Sequence, residues 1–124
     1  VDALREVCGR VTRDGSAYAV PVTWFDSVDA SDMGHGGPVE TSLLLHTNRE
    51  LVDESRLDEA ETGAAEGWGD FEHGVNLAFD TAAFSENGVV GDPREASAGR
   101  GERLLDAASD VLADLLETVR ERER

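Results

Sequence analysis

The sequence predicts an α/β fold, and three observations carry that prediction. An amphipathic helix opens the chain and leads through a turn into a β-branched, aromatic stretch short enough for a strand. A second stretch alternates apolar residues with others, as a half-buried strand does. A long amphipathic helix then ends the chain, which completes the rhythm of a layered α/β architecture.

In order along the chain, Asp2 to Val11 puts Leu4, Val7, Cys8 and Val11 at helical spacing, with Arg5, Glu6 and Arg10 outside the stripe. Cys8 is the only cysteine, so no internal disulfide is available, and its place in the stripe predicts a small buried hydrophobe. "RDGS" (Arg13 to Ser16) reads as a turn and "AYAVPVTWF" (Ala17 to Phe25) as a strand. Pro21 removes one ladder donor, which places that strand at an edge or at a bulge. Asp26 to Gly37 has no periodicity and is expected to be a loop leaving the strand's C-terminal end, where open α/β sheets gather their sites.

A helix is expected from Pro38, a residue suited to a first helical position, with Glu40 in its first turn and a stop near Asn48. Arg49 to Asp70 is acidic and irregular, compatible with short helical turns. In "FEHGVNLAF", Phe71, His73, Val75, Leu77 and Phe79 alternate with their neighbours and predict a half-buried strand. Ser85 to Pro93 carries two turn signals around a short apolar pair. Leu104, Leu105, Ala108, Val111, Leu112, Leu115, Leu116 and Val119 mark one face of the last helix, and residues 120–124 form a charged tail.

The chain has 124 residues and a net charge of −16, and all 11 of its basic residues are arginine. That acidic excess repels nucleic acid and anionic lipid, so neither is an expected partner. The charges are dispersed through patterned segments and do not form one disordered block. Such a composition resembles that of proteins from extreme halophiles, where salt screens the self-repulsion. The chain contains no apolar run of the roughly 18 residues that a membrane span needs, and its start lacks a signal-peptide pattern. A cytoplasmic protein is the expectation, and a first residue other than Met suggests a processed product or a fragment.

His35 is the sharpest chemical signal. Gly34, Gly36 and Gly37 flank it, leaving room for a ligand or another backbone to approach. The helix start just downstream disfavours an imidazolium, and a neutral imidazole can accept and return a proton. The competing reading is a loop histidine that caps the helix. Asp32 could orient His35 or bind a cationic ligand, or be surface charge. Glu40 could reach the site, or serve only the helix start. Trp24 and Trp68 could wall a pocket or fill core. His46 and His73 have no partner at metal-ligand spacing, and no His-Glu-x-x-His, phosphate loop or paired cysteines occur. The chain by itself therefore presents no complete metal site.

Three segments carry a resemblance. "GHGGPVETSLLL" is similar to the His-Ala-Gly-x-x-Glu-Thr-Ser segment of the creatininase (creatinine amidohydrolase) family, with Gly36 where alanine is usual. "NRELVDES" resembles that family's Pro-x-Leu-Val-Asp stretch. "NGVVGDPREASAGRGERLLDAASDVL" resembles its Asp-Gly-Val-x-Gly-Asp-Pro-x-x-Ala segment and final helix. Ser31 stands where the family has a tryptophan.

The resemblance implies a three-layer α/β/α sandwich, a homo-oligomer, and a metal-dependent amidohydrolase acting on a C–N bond of a small amide, cyclic or not. The family's substrates include creatinine, a formamidopyrimidine and a peptide. By position, His35 would transfer protons, Asp32 would line the substrate pocket and Glu40 would support the site. The divalent metal (zinc, manganese or iron) has its family ligands mostly in an N-terminal half whose motifs are absent here. The chain thus resembles one partial domain, residues 1–124, equivalent to the C-terminal half. Its expected partners are the amide substrate and an N-terminal half or homologous subunits. The alternative is an inactive remnant or assembly module that pairs with an intact homologue.

Overall fold

A computed structural model describes residues 2–15 and 17–122. Four α-helices and one small sheet are found among them: α1 (Asp2–Arg13), α2 (Pro38–Thr47), α3 (Leu57–Thr62), the hairpin strands β1 (Phe71–Glu72) and β2 (Val75–Asn76), and α4 (Ala98–Glu121). Short 3₁₀ turns connect them. Helices with a small sheet agree with the α/β class.

The centre of the fold is the crossing of α2 and α4. Helix α2 starts on Pro38 with Gly37 as its N-cap, and the Asn48 N–H closes it on the Leu44 carbonyl, as the sequence predicts. Helix α4 starts on Ser97, whose hydroxyl accepts from the Arg100 N–H. Ser42 is fully buried at the crossing; its Oγ donates to the Pro38 carbonyl at 2.6 Å and accepts the Ser97 N–H at 3.0 Å. One buried hydroxyl thereby joins the two helix starts. A Cβ on Gly101 would collide with the Ser42 carbonyl oxygen, so the two backbones meet only because that side chain is absent. Around this contact Ala30, Val39 and Leu104 form the buried core, flanked by Trp24, Phe25, Val28, Met33 and Leu43.

Several expectations are corrected. Residues 17–23 form no strand, and Trp24–Ser27 is a 3₁₀ turn. A strand needs a neighbour to take its backbone hydrogen bonds, and no described segment pairs with this one. The turn before it is seen at Asp14 and Gly15 (φ +75°), while Ser16 lies outside the described residues. The strand expected over Phe71 to Phe79 shrinks to the hairpin, with Phe71 opposite Asn76 and Glu72 opposite Val75. His73 (φ +52°) and Gly74 (φ +81°) make its two-residue turn, the geometry that the twist of a tight hairpin selects. No face of this hairpin is covered, and Phe79 is 99% exposed.

Helix α1 forms as expected but buries nothing: Leu4 and Val7 are exposed and Cys8 is only partly covered, against the expectation of burial. Thr12 ties the helix to the following segment, its Oγ1 accepting the Ala19 N–H at 3.0 Å. On α4 only Gly101 and Leu104 are buried, and Leu112 and Leu116 of the apolar face stand exposed. The charged tail begins inside this helix, since Arg120 and Glu121 are helical; 123 and 124 lie outside the described residues. None of the described helices is long and apolar enough to cross a membrane.

Gly101→Ala is expected to destabilise the chain by about 1–3 kcal/mol through overpacking against a backbone that cannot yield. Urea unfolding followed by circular dichroism measures it, with the exposed Gly99→Ala as the control.

Candidate active site

The backbone of Val90 organises the candidate site. His35 and Val90 exchange both hydrogen bonds of a single antiparallel bridge, N–H to O at 3.1 Å and 2.8 Å. On its other side Val90 forms a parallel bridge with Ala65: the Ala65 N–H donates to the Val89 carbonyl at 3.0 Å, and the Gly91 N–H donates to the Ala65 carbonyl at 2.9 Å. Three loops that are distant in sequence are thus laced together, with Val90 only 2% exposed between them.

The glycines around His35 now have separate roles. A Cβ on Gly34 or on Gly37 would strike the Val90 carbonyl oxygen. Of the two approaches that the sequence left open, these glycines serve that of another backbone. Gly36 instead takes the left-handed conformation (φ +61°). Its N–H donates to Glu40 Oε2 at 2.5 Å, and its carbonyl accepts the Thr41 hydroxyl at 3.1 Å. The loop is therefore stapled to the first turn of α2.

Glu40 does two things with one oxygen. Besides accepting the Gly36 N–H, Oε2 stands 3.7 Å from His35 Nδ1. The His35 side chain is 64% exposed, so the ring stands at the rim of the structure. The Trp68 indole lies beside it, centroids 6.3 Å apart and planes nearly perpendicular, and Phe84 supports the indole from 5.7 Å. Imidazole, carboxylate and indole are thus brought together from three segments.

Asp32 is placed differently. Its carboxylate is gripped by the Arg100 guanidinium of α4 through two hydrogen bonds, 2.7 Å and 2.5 Å long. That fork is the strong geometry for an arginine–carboxylate pair. The hydrogen bonds from Arg100 hold the Asp32 carboxyl below the usual carboxylate range, against a smaller opposing effect of burial. Asp32 also lines a cavity of about 410 Å³ with Ser31, Gly34, Glu66, Trp68 and Glu95. Arg100 and the approach of Trp68 to His35 were not visible in the sequence, because each partner sits more than thirty positions away from its counterpart.

The remaining candidates stay apart from this cluster. Trp24 packs on the core. His46 lies against Gly101 at the α2–α4 crossing, and His73 shapes the hairpin turn. Among the described residues no three His, Cys, Asp or Glu side chains converge as metal ligands would. These residues do not fit a divalent cation.

The Asp32–Arg100 pair makes stability depend on pH in a definite direction. A carboxyl depressed in the folded chain contributes stability above its unfolded value, and that stability is lost as pH falls through the folded value. Arg100→Met is therefore expected to cost a nearly constant amount above about pH 5 and progressively less below the ordinary aspartate value of 3.8. The Asp32 side chain is 40% exposed, so the plateau is expected at about 1 kcal/mol or less. Urea titrations of both proteins across this range measure the difference.

Comparison with known proteins agrees with the sequence motifs. No curated protein and no solved structure gives a significant match to this chain. The family described as "Creatininase: Creatinine amidohydrolase" matches residues 1–116 of the 124. With His35, Glu40 and the Val90 bridge all inside the matched region, the chain belongs to the creatininase family.

Proposed function

We propose that this chain supplies the proton-transfer side of a metal-dependent amidohydrolase that cleaves a C–N bond in a small amide. The observation that carries the reading is the His35 ring held at the rim within 3.7 Å of the Glu40 carboxylate. In this reading His35 takes a proton from the water that attacks the amide carbon. It returns that proton to the nitrogen as the C–N bond breaks. Glu40 positions the ring from its Nδ1 side, and the Gly36 N–H fixes Glu40 in turn. Asp32 acts through its ion pair and its place on the cavity wall.

The cation is proposed to belong to other polypeptide, since the donor set of the described residues does not fit one. Residues 1–124 would then be one partial domain of a three-layer α/β/α sandwich, completed by an N-terminal half or by homologous subunits in a homo-oligomer. The unpaired segment 17–23 and the uncovered faces of α1 and α4 support this, because each lacks the neighbour that such a sandwich provides. The acidic surface suits a concentrated-salt cytoplasm and disfavours nucleic acid and membranes as partners.

The second reading, an inactive assembly module, is favoured by the same uncovered faces. One experiment separates the two. Co-expressed with the N-terminal half of a creatininase-family protein, the chain is expected to restore hydrolysis of creatinine or another small amide. His35→Ala should then lower the rate about 10²–10⁴-fold. Restoration that is indifferent to His35 would leave only the assembly role. Elemental analysis of the desalted chain alone is expected to find no stoichiometric divalent metal. Circular dichroism in a potassium chloride series should show helix content rising with salt, whereas full helicity in dilute buffer would contradict the partial-domain reading.

A further inference from the structure

Helix α1 has the apolar stripe of a core helix and no core to place it in. Leu4, Val7, Cys8 and Val11 share one side, yet Leu4 is 60% and Val7 50% exposed, and no residue of the helix is buried. Among the described residues α1 packs against no other helix, 3₁₀ turn or strand. A helix of 12 residues is marginal in water by itself, so its stripe needs a surface to cover it. Only the following segment holds it: Gly15 (φ +75°) turns the chain, and Thr12 Oγ1 accepts the Ala19 N–H. With that bond in place α1 does not meet its own α4.

A surface of the right kind lies on α4. Val22, Trp24, Leu104, Leu105, Ala108 and Leu112 line a groove of about 320 Å³ there. Its length suits the stripe: at the helical rise Leu104 to Leu112 spans about 12 Å, and Leu4 to Val11 about 10 Å. Charge identifies the partner. Arg5, Arg10 and Arg13 outnumber Asp2 and Glu6, so α1 is net positive, whereas α2, α3 and α4 are each net negative. Arg10 is paired with Glu6 at 3.2 Å, and among the described residues Arg5 and Arg13 have no carboxylate at ion-pair distance. Leu104 to Leu112 carries Asp106 and Asp110 and no basic residue.

We propose that α1 is an exchanged arm, docking its apolar stripe in the α4 groove of a second copy of this chain, which returns its own α1 in a closed two-fold pair. Each copy carries both the basic helix and the acidic groove, so a reciprocal exchange covers both faces at once and leaves neither open for further growth. The inference goes beyond the amidohydrolase reading and does not depend on His35.

The test is sedimentation equilibrium of the full chain over a concentration series, with alkylation of Cys8 by iodoacetamide under reducing conditions as a second readout. A mass of twice 13.3 kDa is expected, and Cys8, the only thiol, should alkylate more slowly as the dimer fills. Pairing should tighten with salt, because each body carries a net charge of −16. Val7→Asp on the arm and Leu112→Asp on the groove, both at exposed positions, should each weaken pairing at least about tenfold and restore fast alkylation. Replacing Arg5 and Arg13 together by Glu should weaken it at least about threefold. A monomer with reactive Cys8 would overturn the inference and leave the faces to an N-terminal half. A monomer with protected Cys8 would overturn it in favour of closure on the chain's own groove. A dimer indifferent to Val7→Asp or to the arginine reversal would overturn it in favour of another contact. His35→Ala should pair as the unmodified chain does, so loss of complemented hydrolysis with pairing intact defeats only the chemistry, and His35-dependent hydrolysis without pairing defeats only the exchange.

Discussion

The structure depends on one close backbone approach. The Val90 carbonyl lies against Gly34 and Gly37 at a distance that no side chain would permit, and the same residue bridges His35 on one side and Ala65 on the other. Without that contact the loop of His35 and the loop of Trp68 would have no common anchor, and Pro38 would no longer begin α2 against Gly91. Val90 sits in the third of the motif segments and His35 in the first. The motifs that mark the family are, physically, the two halves of one joint.

A second joint explains why so small a core holds. Ser42 satisfies its hydroxyl between Pro38 and Ser97, and Gly101 lets α4 lie on that spot. Few apolar side chains are fully buried here, so backbone hydrogen bonds and small-residue contacts take a large share of the work of fixing geometry. Asp32 and Arg100 add a polar clasp between the start of α4 and the base of the His35 loop. The His35 loop is therefore held from the Val90 side and from the α4 side at once.

The parts of this arrangement that were legible from sequence are those governed by local rules. Pro38 and Asn48 bound α2 because helix ends are decided by neighbouring backbone groups. The last helix follows from its apolar period. Residues 17–23 and 71–79 mislead for a shared reason: their patterns describe a sheet surface, and a pattern forms a strand only when another strand and a covering layer are supplied. At the site, the closeness of Glu40 to His35 could be foreseen, since five positions separate them across a helix start. The indole of Trp68 and the guanidinium of Arg100 arrive through folding of distant loops, and no spacing rule reports that.

Helix α4 is unevenly anchored: Gly101 and Leu104 near its start are clamped on α2, while Val111, Leu112 and Leu116 farther along stand exposed and Leu115 and Val119 are only half-buried. One continuous helix thus contains two regimes of protection. Amide protons in its first three turns can exchange with solvent only when the α2–α4 joint opens, whereas those of its last turns are released by local fraying alone. Any polypeptide that settles on the outward side would erase this gradient, converting a helix protected at one end into one protected throughout.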